Sequence, residues 1–243
     1  MDYYSSLKSS SDLKYFTVQE KETLLRIGVD RESYTEDLTS FCRKKVLALR
    51  SDLENYIDKC PQFQSSFQPL EVLPASAEII RCMAKAARLA NVGPMAAVAG
   101  AIAELLGEEL SGYCKDIIIE NGGDIYLKSR TKRIITIFAG KTPFSNQIGL
   151  EIDANEFPLG LCTSSGTIGQ GISLGKADAV IIKAKTASLA DAVATAAANR
   201  IKSTEDLKLA IEFANKIKGV TGVIAIKDSK LAAWGKIKII KLR

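Results

Sequence analysis

At 243 residues and 47% hydrophobic content, the chain can bury one sizeable core or two small ones, and one domain is the expectation. Its net charge of +5 is spread along the sequence with no basic block interleaved with aromatics, so nucleic acid is not an implied partner. Histidine is absent, which excludes Ser-His and Cys-His nucleophile pairs, a His general base and any His-ligated metal.

The start, Met1-Asp2-Tyr3-Tyr4, has neither a basic n-region nor an apolar h-region. The longest uncharged apolar run, 91–103, is too short for a bilayer and is broken by Gly93-Pro94, so no membrane partner is expected. Cysteines at 42, 60, 82, 114 and 162 form no C-x-x-C pair and are odd in number, which suits reduced thiols and a cytoplasmic location.

Residues 11–29 alternate as strands with Phe16, Val18, Leu25 and Ile27 inward. Thr35-Glu36-Asp37 opens a helix to about Lys59, stopped by Pro61. The segment 61–75, with its prolines and polar filler, is the best linker candidate, dividing 1–75 (N-terminal strands and helix) from a core over 76–243. Ser76 is placed to cap a helix to about Leu89, and Pro94 suits the first turn of another reaching Leu106 or Leu110. Strands are expected at 116–120, 124–128, 133–139, 148–153, 158–163 and 178–184, helices at 188–200 and 203–217, and strands at 220–226 and 235–242. Helices in blocks between runs of strands indicate an α+β fold with a mostly antiparallel sheet and packed Ala/Gly-rich helices. The lysines of 236–241 suit an edge strand.

Three segments invite chemistry. In 188–199, a nearly pure alanine helix carries oxygen-bearing side chains at Asp191, Thr195 and Asn199, which fall on one stripe because four residues advance a helix by about 400°. A capping box from Ser188 to Asp191 explains the Asp but not Thr195; a half-site for a hard cation such as Mg²⁺ explains both. Asn121-Gly122-Gly123-Asp124 reads first as a hairpin turn. Gly160 to Gly175 is rich in Gly, Ser and Thr, without the Walker or Rossmann spacing, and suits either a surface loop or an anion-binding nest, with Cys162 as a candidate reactive thiol.

Asn91-Val92-Gly93-Pro94-Met95 through Glu104, Glu120 to Ile125, Cys162 to Thr167, Gly175 to Val180 and Ala190 to Thr195 resemble, in this order, the UPF0280 family, which is similar to the ApbE superfamily of flavin transferases. The resemblance implies a single ApbE-like (T-fold-like) domain over 1–243. It also implies a site in which Mg²⁺ is held by Asp191, Thr195 and the carbonyl of Asn91, and FAD is bound near Asn121, Gly122, Gly123, Thr163, Ser164, Ser165, Gly166 and Thr167. Asp178 or Asp124 would accept the proton of an acceptor hydroxyl. The ApbE His-x-x-Asp-Pro-x-Thr-Gly segment is replaced here by 171–178, and Gln170 stands near the expected histidine. The leading reading is therefore Mg²⁺-dependent binding of a flavin or nucleotide diphosphate, with FMN transfer to a protein Ser or Thr as its catalytic extension. The alternatives are an accessory protein of anaerobic sulfur assimilation, from sulfide to homocysteine, with Cys162 as its thiol, and a non-catalytic binding module. Whether the chain forms a homo-oligomer is open.

Overall fold

A computed structural model describes residues 10–164 and 175–242. An eight-stranded sheet forms its middle layer, with strands β1 (Leu13–Glu20), β2 (Thr23–Asp30), β3 (Ile117–Asn121), β4 (Asp124–Lys128), β7 (Leu159–Ser164), β8 (Ala179–Ala184), β9 (Val220–Lys227) and β10 (Lys230–Gly235) in the order β1-β2-β3-β4-β7-β8-β9-β10. Strands β5 (Arg133–Thr136) and β6 (Ile148–Ile152) leave that sheet to pair with β11 (Lys238–Lys241) in a second, three-stranded sheet. Every pairing is antiparallel.

Period-two alternation sorts the strand residues onto two cores. Leu25, Ile27, Ile117, Ile119, Tyr126, Cys162, Val180, Ile182 and Val223 face the helices. Ile118, Ile125, Leu127, Leu161, Ile181 and Ile224 instead meet Ile135, Ile137, Leu150 and Ile152 of the small sheet. The inner strands of the large sheet are thus buried on both faces, and β3, β8 and β9 are rich in Ile and Val. The helices are α1 (Glu36–Lys59), α2 (Gln62–Ser65), α3 (Glu78–Ala90), α4 (Val98–Leu110), α5 (Ala187–Ala198) and α6 (Leu207–Ala214).

The large sheet has an internal logic. Each four-stranded half is strand, strand, helices, strand, strand, and the halves join at one seam, β4 against β7, where neighbours in the sheet are not consecutive strands. Asp124 pairs with Cys162 and Tyr126 with Gly160 across that seam.

Most elements lie where the sequence puts them, with informative departures. The segment 61–75 is stitched down by the fully buried Phe63 of α2, which packs edge-on against Tyr56 at 5.0 Å. Thr35 caps α1, but the N-cap of α3 is Ala77, not Ser76. Between Gly93 and α4 the chain takes a 3-10 turn, Pro94–Ala97, and α3 and the segment from Pro94 are bent by 102°. The 203–217 helix begins as a 3-10 turn closed by a Ser203–Asp206 capping box and ends at Ala214. The C-terminal segment is not one strand but two in different sheets: a turn with Asp228 at φ 55° folds β10 back on β9, and β11 crosses to β6, where it forms an edge of the small sheet. No single helix among the described residues is long and apolar enough to cross a membrane.

Candidate cation and anion site

The site is built at the seam. The Asn121–Asp124 pair closes a two-residue turn with Gly122 at φ 68°, a conformation that glycine adopts without strain. Gly123 must also be glycine, because an added Cβ would stand 2.5 Å from the carbonyl oxygen of Thr163, whose own N–H donates to Gly123 O at 2.9 Å. Directly after this turn the strand alternation points Asp124 to the helix side, beside its partner Cys162.

Helix α5 brings the third group. Its first residue, Ala187, lies in a notch between two glycines: a Cβ on Gly100 would come 2.3 Å from Ala187 O, and one on Gly160 would come 2.3 Å from Ala187 Cα. The alanine content of α5 therefore permits a helix to sit almost on the backbone of α4 and β7. This approach delivers the Asp191 carboxylate to the start of α4, where Oδ2 accepts from Gly100 N–H at 2.9 Å. Asn121 Nδ2 donates to Ala99 O at 3.1 Å, tying the turn to the same helix start.

The capping box does not form. Thr186 is the N-cap of α5 and accepts from Leu189 N–H, while Ser188 N–H donates to Glu104 Oε2 at 2.8 Å. Asp191 is free of any capping duty on its own helix. It complements instead the amide-rich start of a neighbour, as helix dipoles favour.

Asp124, Cys162 and Asp191 each offer a ligand atom within 4.8 Å of the others, and all three residues are buried. Burial, opposed by a hydrogen bond from Cys162, pushes the Asp124 carboxyl up to about 7. Asp191 is driven well above the carboxylate range by burial and then by Asp124, against the Gly100 and Ala99 amides. The Cys162 thiol is driven well up by burial, Asp124 and Asp191. No Lys or Arg among the described residues pairs with any of the three, and Asp124 Oδ1 has no hydrogen-bond partner. Three acidic groups converging in a dry site without a positive partner are mutually repulsive, and a divalent cation is what relieves them. The residues present therefore fit a metal ion.

The remaining expected residues divide into four sets. Asn121, Gly122, Gly123, Thr163 and Ser164 border the acidic group at the same end of the seam, with the two hydroxyl residues half-buried. Thr195 is half-buried one turn beyond Asp191, whereas Asn91 has an exposed side chain and ends α3 in the left-handed conformation, at the bend before Pro94. Asp178 is engaged elsewhere: it accepts from Asp228 N–H at 2.6 Å and pairs with Lys227 at 3.4 Å, fixing the β9–β10 turn. Ser165, Gly166, Thr167, Gln170 and residues 171–174 lie outside the described residues. Cys162 sits on β7 rather than in a loop, and its elevated thiol is opposite to the low-pKa nucleophile expected of a sulfur-handling site. Sequence reasoning missed Cys162 as a neighbour of both carboxylates; the clue was its alternation with Leu161 and Thr163 in a strand.

A sequence model of the family described as AbpE bacteria matches residues 6–226. A UPF0280 protein of Methanocaldococcus jannaschii is 39% identical over 222 residues, covering 89% of this chain and 88% of its own. One of Methanocella arvoryzae is 37% identical over 225 residues, covering 92% and 89%. Among solved structures, the flavinyl transferase ApbE of Pseudomonas stutzeri superposes with a TM-score of 0.57 at 12% identity, covering 92% of this chain and 94% of that one. The flavin transferase ApbE of Vibrio cholerae gives 0.58 at 11%, covering 92% and 96%.

Proposed function

This chain belongs to the UPF0280 family, a branch of the ApbE superfamily, and from that premise we propose that it binds a flavin dinucleotide through a divalent cation at the seam between β4 and β7. The observation that carries the reading is the buried Asp124–Asp191 pair, with the unpartnered Oδ1 of Asp124 and no cationic side chain paired with it among the described residues. Asp191 and Asp124 hold the cation, and the Thr195 hydroxyl, one turn along α5, adds a neutral oxygen. The bound cation supplies the positive charge against which a diphosphate docks. The Gly122-Gly123 turn and the Thr163 and Ser164 hydroxyls offer the hydrogen-bond donors that anions need.

Ligation is the role that suits Asp124, rather than proton acceptance, because its buried carboxylate lies within 4.8 Å of the Asp191 carboxylate and the Cys162 sulfur, and one of its oxygens has no hydrogen-bond partner. Asp178, held by Lys227 and the Asp228 amide, has its own structural duty. The proposal is therefore cation-dependent flavin binding first. Transfer of FMN to a protein Ser or Thr is its extension, and the naming of the structural neighbours as flavin transferases supports it.

Titrating FAD into the protein, followed by flavin fluorescence with and without added divalent ion, tests this. Binding is expected only with the ion, to weaken by about a hundredfold or more in Asp191→Asn, and to be weaker for FMN, which lacks the diphosphate. FAD binding that ignores both the ion and Asp191→Asn, or no binding at millimolar ion, overturns it.

A further inference from the structure

We propose that Cys162 is itself a ligand, so that the cation of this site is a thiophilic divalent ion of the zinc, iron or cobalt class rather than Mg²⁺. The inference rests on the cation-site reading above and specifies which ion that site is built for.

Donor identity is the first argument. Oxygen-only sets suit Mg²⁺ and Ca²⁺, whereas a thiolate among the donors selects Zn²⁺, Fe²⁺ or Co²⁺. Two carboxylates and one sulfur are such a mixed set. Spacing is the second. A cation bound at about 2.0–2.3 Å to three tetrahedral donors holds them about 3.3–3.8 Å apart. The three groups already lie within 4.8 Å of one another on rigid supports: a strand end, its seam partner and a helix wedged between Gly100 and Gly160. The unpartnered Oδ1 of Asp124 is the independent sign that a ligand belongs among them, since an oxygen buried without a hydrogen bond is otherwise a net cost.

The other cysteines provide the contrast. Cys42 and Cys114 are buried near each other in the helix-side core, and neither they nor Cys60 and Cys82 belong to a cluster of three ligating side chains among the described residues. Cys162 stands apart in having two carboxylates within ligand distance.

The test uses Co²⁺ alone as probe, on the purified protein without flavin. Thiolate ligation gives an intense sulfur-to-cobalt charge-transfer absorption in the near ultraviolet, which oxygen donors do not produce. That band is expected in the wild type, to be displaced by Zn²⁺ but not by excess Mg²⁺, and to persist in the control Cys60→Ser. It should vanish in Cys162→Ser and in Cys162→Ala, with Co²⁺ affinity down about tenfold or more in both, while circular dichroism confirms that each is folded. Co²⁺ binding by calorimetry without the band, or a band retained in a folded Cys162 variant, overturns the thiolate inference and leaves the cation site standing. Failure to bind Co²⁺, Zn²⁺, Mn²⁺ or Mg²⁺ at all overturns both.

Discussion

The two ends of the β3–β4 hairpin hold buried carboxylates in opposite situations. At the open end, Asp116 accepts from Ser129 Oγ, from Arg130 N–H and from the Arg130 guanidinium at 2.7 Å, while Arg133, itself buried, reaches Asp12 at 2.8 Å and Asp116 at 3.6 Å. Burial works to raise Asp116, but these donors more than offset it and hold it below the usual carboxylate range. The Arg133 hydrogen bond holds Asp12 at about 2. At the turn end, Asp124 and Asp191 are as well buried, no arginine among the described residues pairs with either, and both are raised. The same side chain in the same hairpin is thus a fastener at one end and a source of tension at the other. The difference is whether the fold supplies the counter-charge or leaves it to a ligand.

Removing a group from each end should move stability in opposite directions. The largest effect is expected at the arginine end. Arg133→Ala removes a buried guanidinium that bonds Ser129 and Asp12 and leaves Asp116 to Arg130 alone, and should cost about 2 kcal/mol in urea unfolding. If it costs nothing, the arginine network is ornamental and the comparison collapses. At the turn end, Asp124→Asn should stabilise the cation-free protein by about 1 kcal/mol at pH 8, because it removes one of two confined acids, while abolishing stabilisation by added divalent ion.

The pH dependence sharpens the contrast. Asp124 has a folded-state value above its unfolded one, so its contribution to stability is present below about pH 4 and is lost as the pH rises towards 7, where the unfolded chain has released a proton that the folded chain retains. Asp12 is depressed, so its contribution is present above about pH 4 and lost as the pH falls towards 2. Asp12 is half exposed, and solvent screening limits its share to about 0.5 kcal/mol. Denaturant midpoints of the cation-free protein from pH 3 to 8 should therefore fall at the alkaline side in the wild type, and less in Asp124→Asn. Asp12→Asn should flatten only the acid side.

Sequence alone reaches the α+β class and nearly every strand, and it singles out Asp191, because period-two runs and an alanine helix with a polar stripe are local signals. What it misses is set by distance along the chain. Asp124 and Cys162 are separated by the whole β5–β6 excursion, so their pairing follows from sheet order and not from any spacing. Ser188 fits a capping box until Glu104, far upstream, takes its amide. Strand β10 goes unnoticed because Leu231-Ala232-Ala233-Trp234 has no β-branched residue and makes a weak strand signal.

The seam between β4 and β7 has one more consequence, for how the protein opens. Each four-stranded half, with its own helices, is a natural unit of local unfolding, and within the large sheet the halves are joined by the β4–β7 ladder alone. Asp124 belongs to one half, Cys162 and Asp191 to the other. An ion gripped by both acts as a rivet across the joint, since it binds the closed state alone and raises the free energy of separation by mass action. Amide protons along β4 and β7 should then exchange with deuterium markedly more slowly on ion addition, while those of the peripheral β1–β2 hairpin keep their rates.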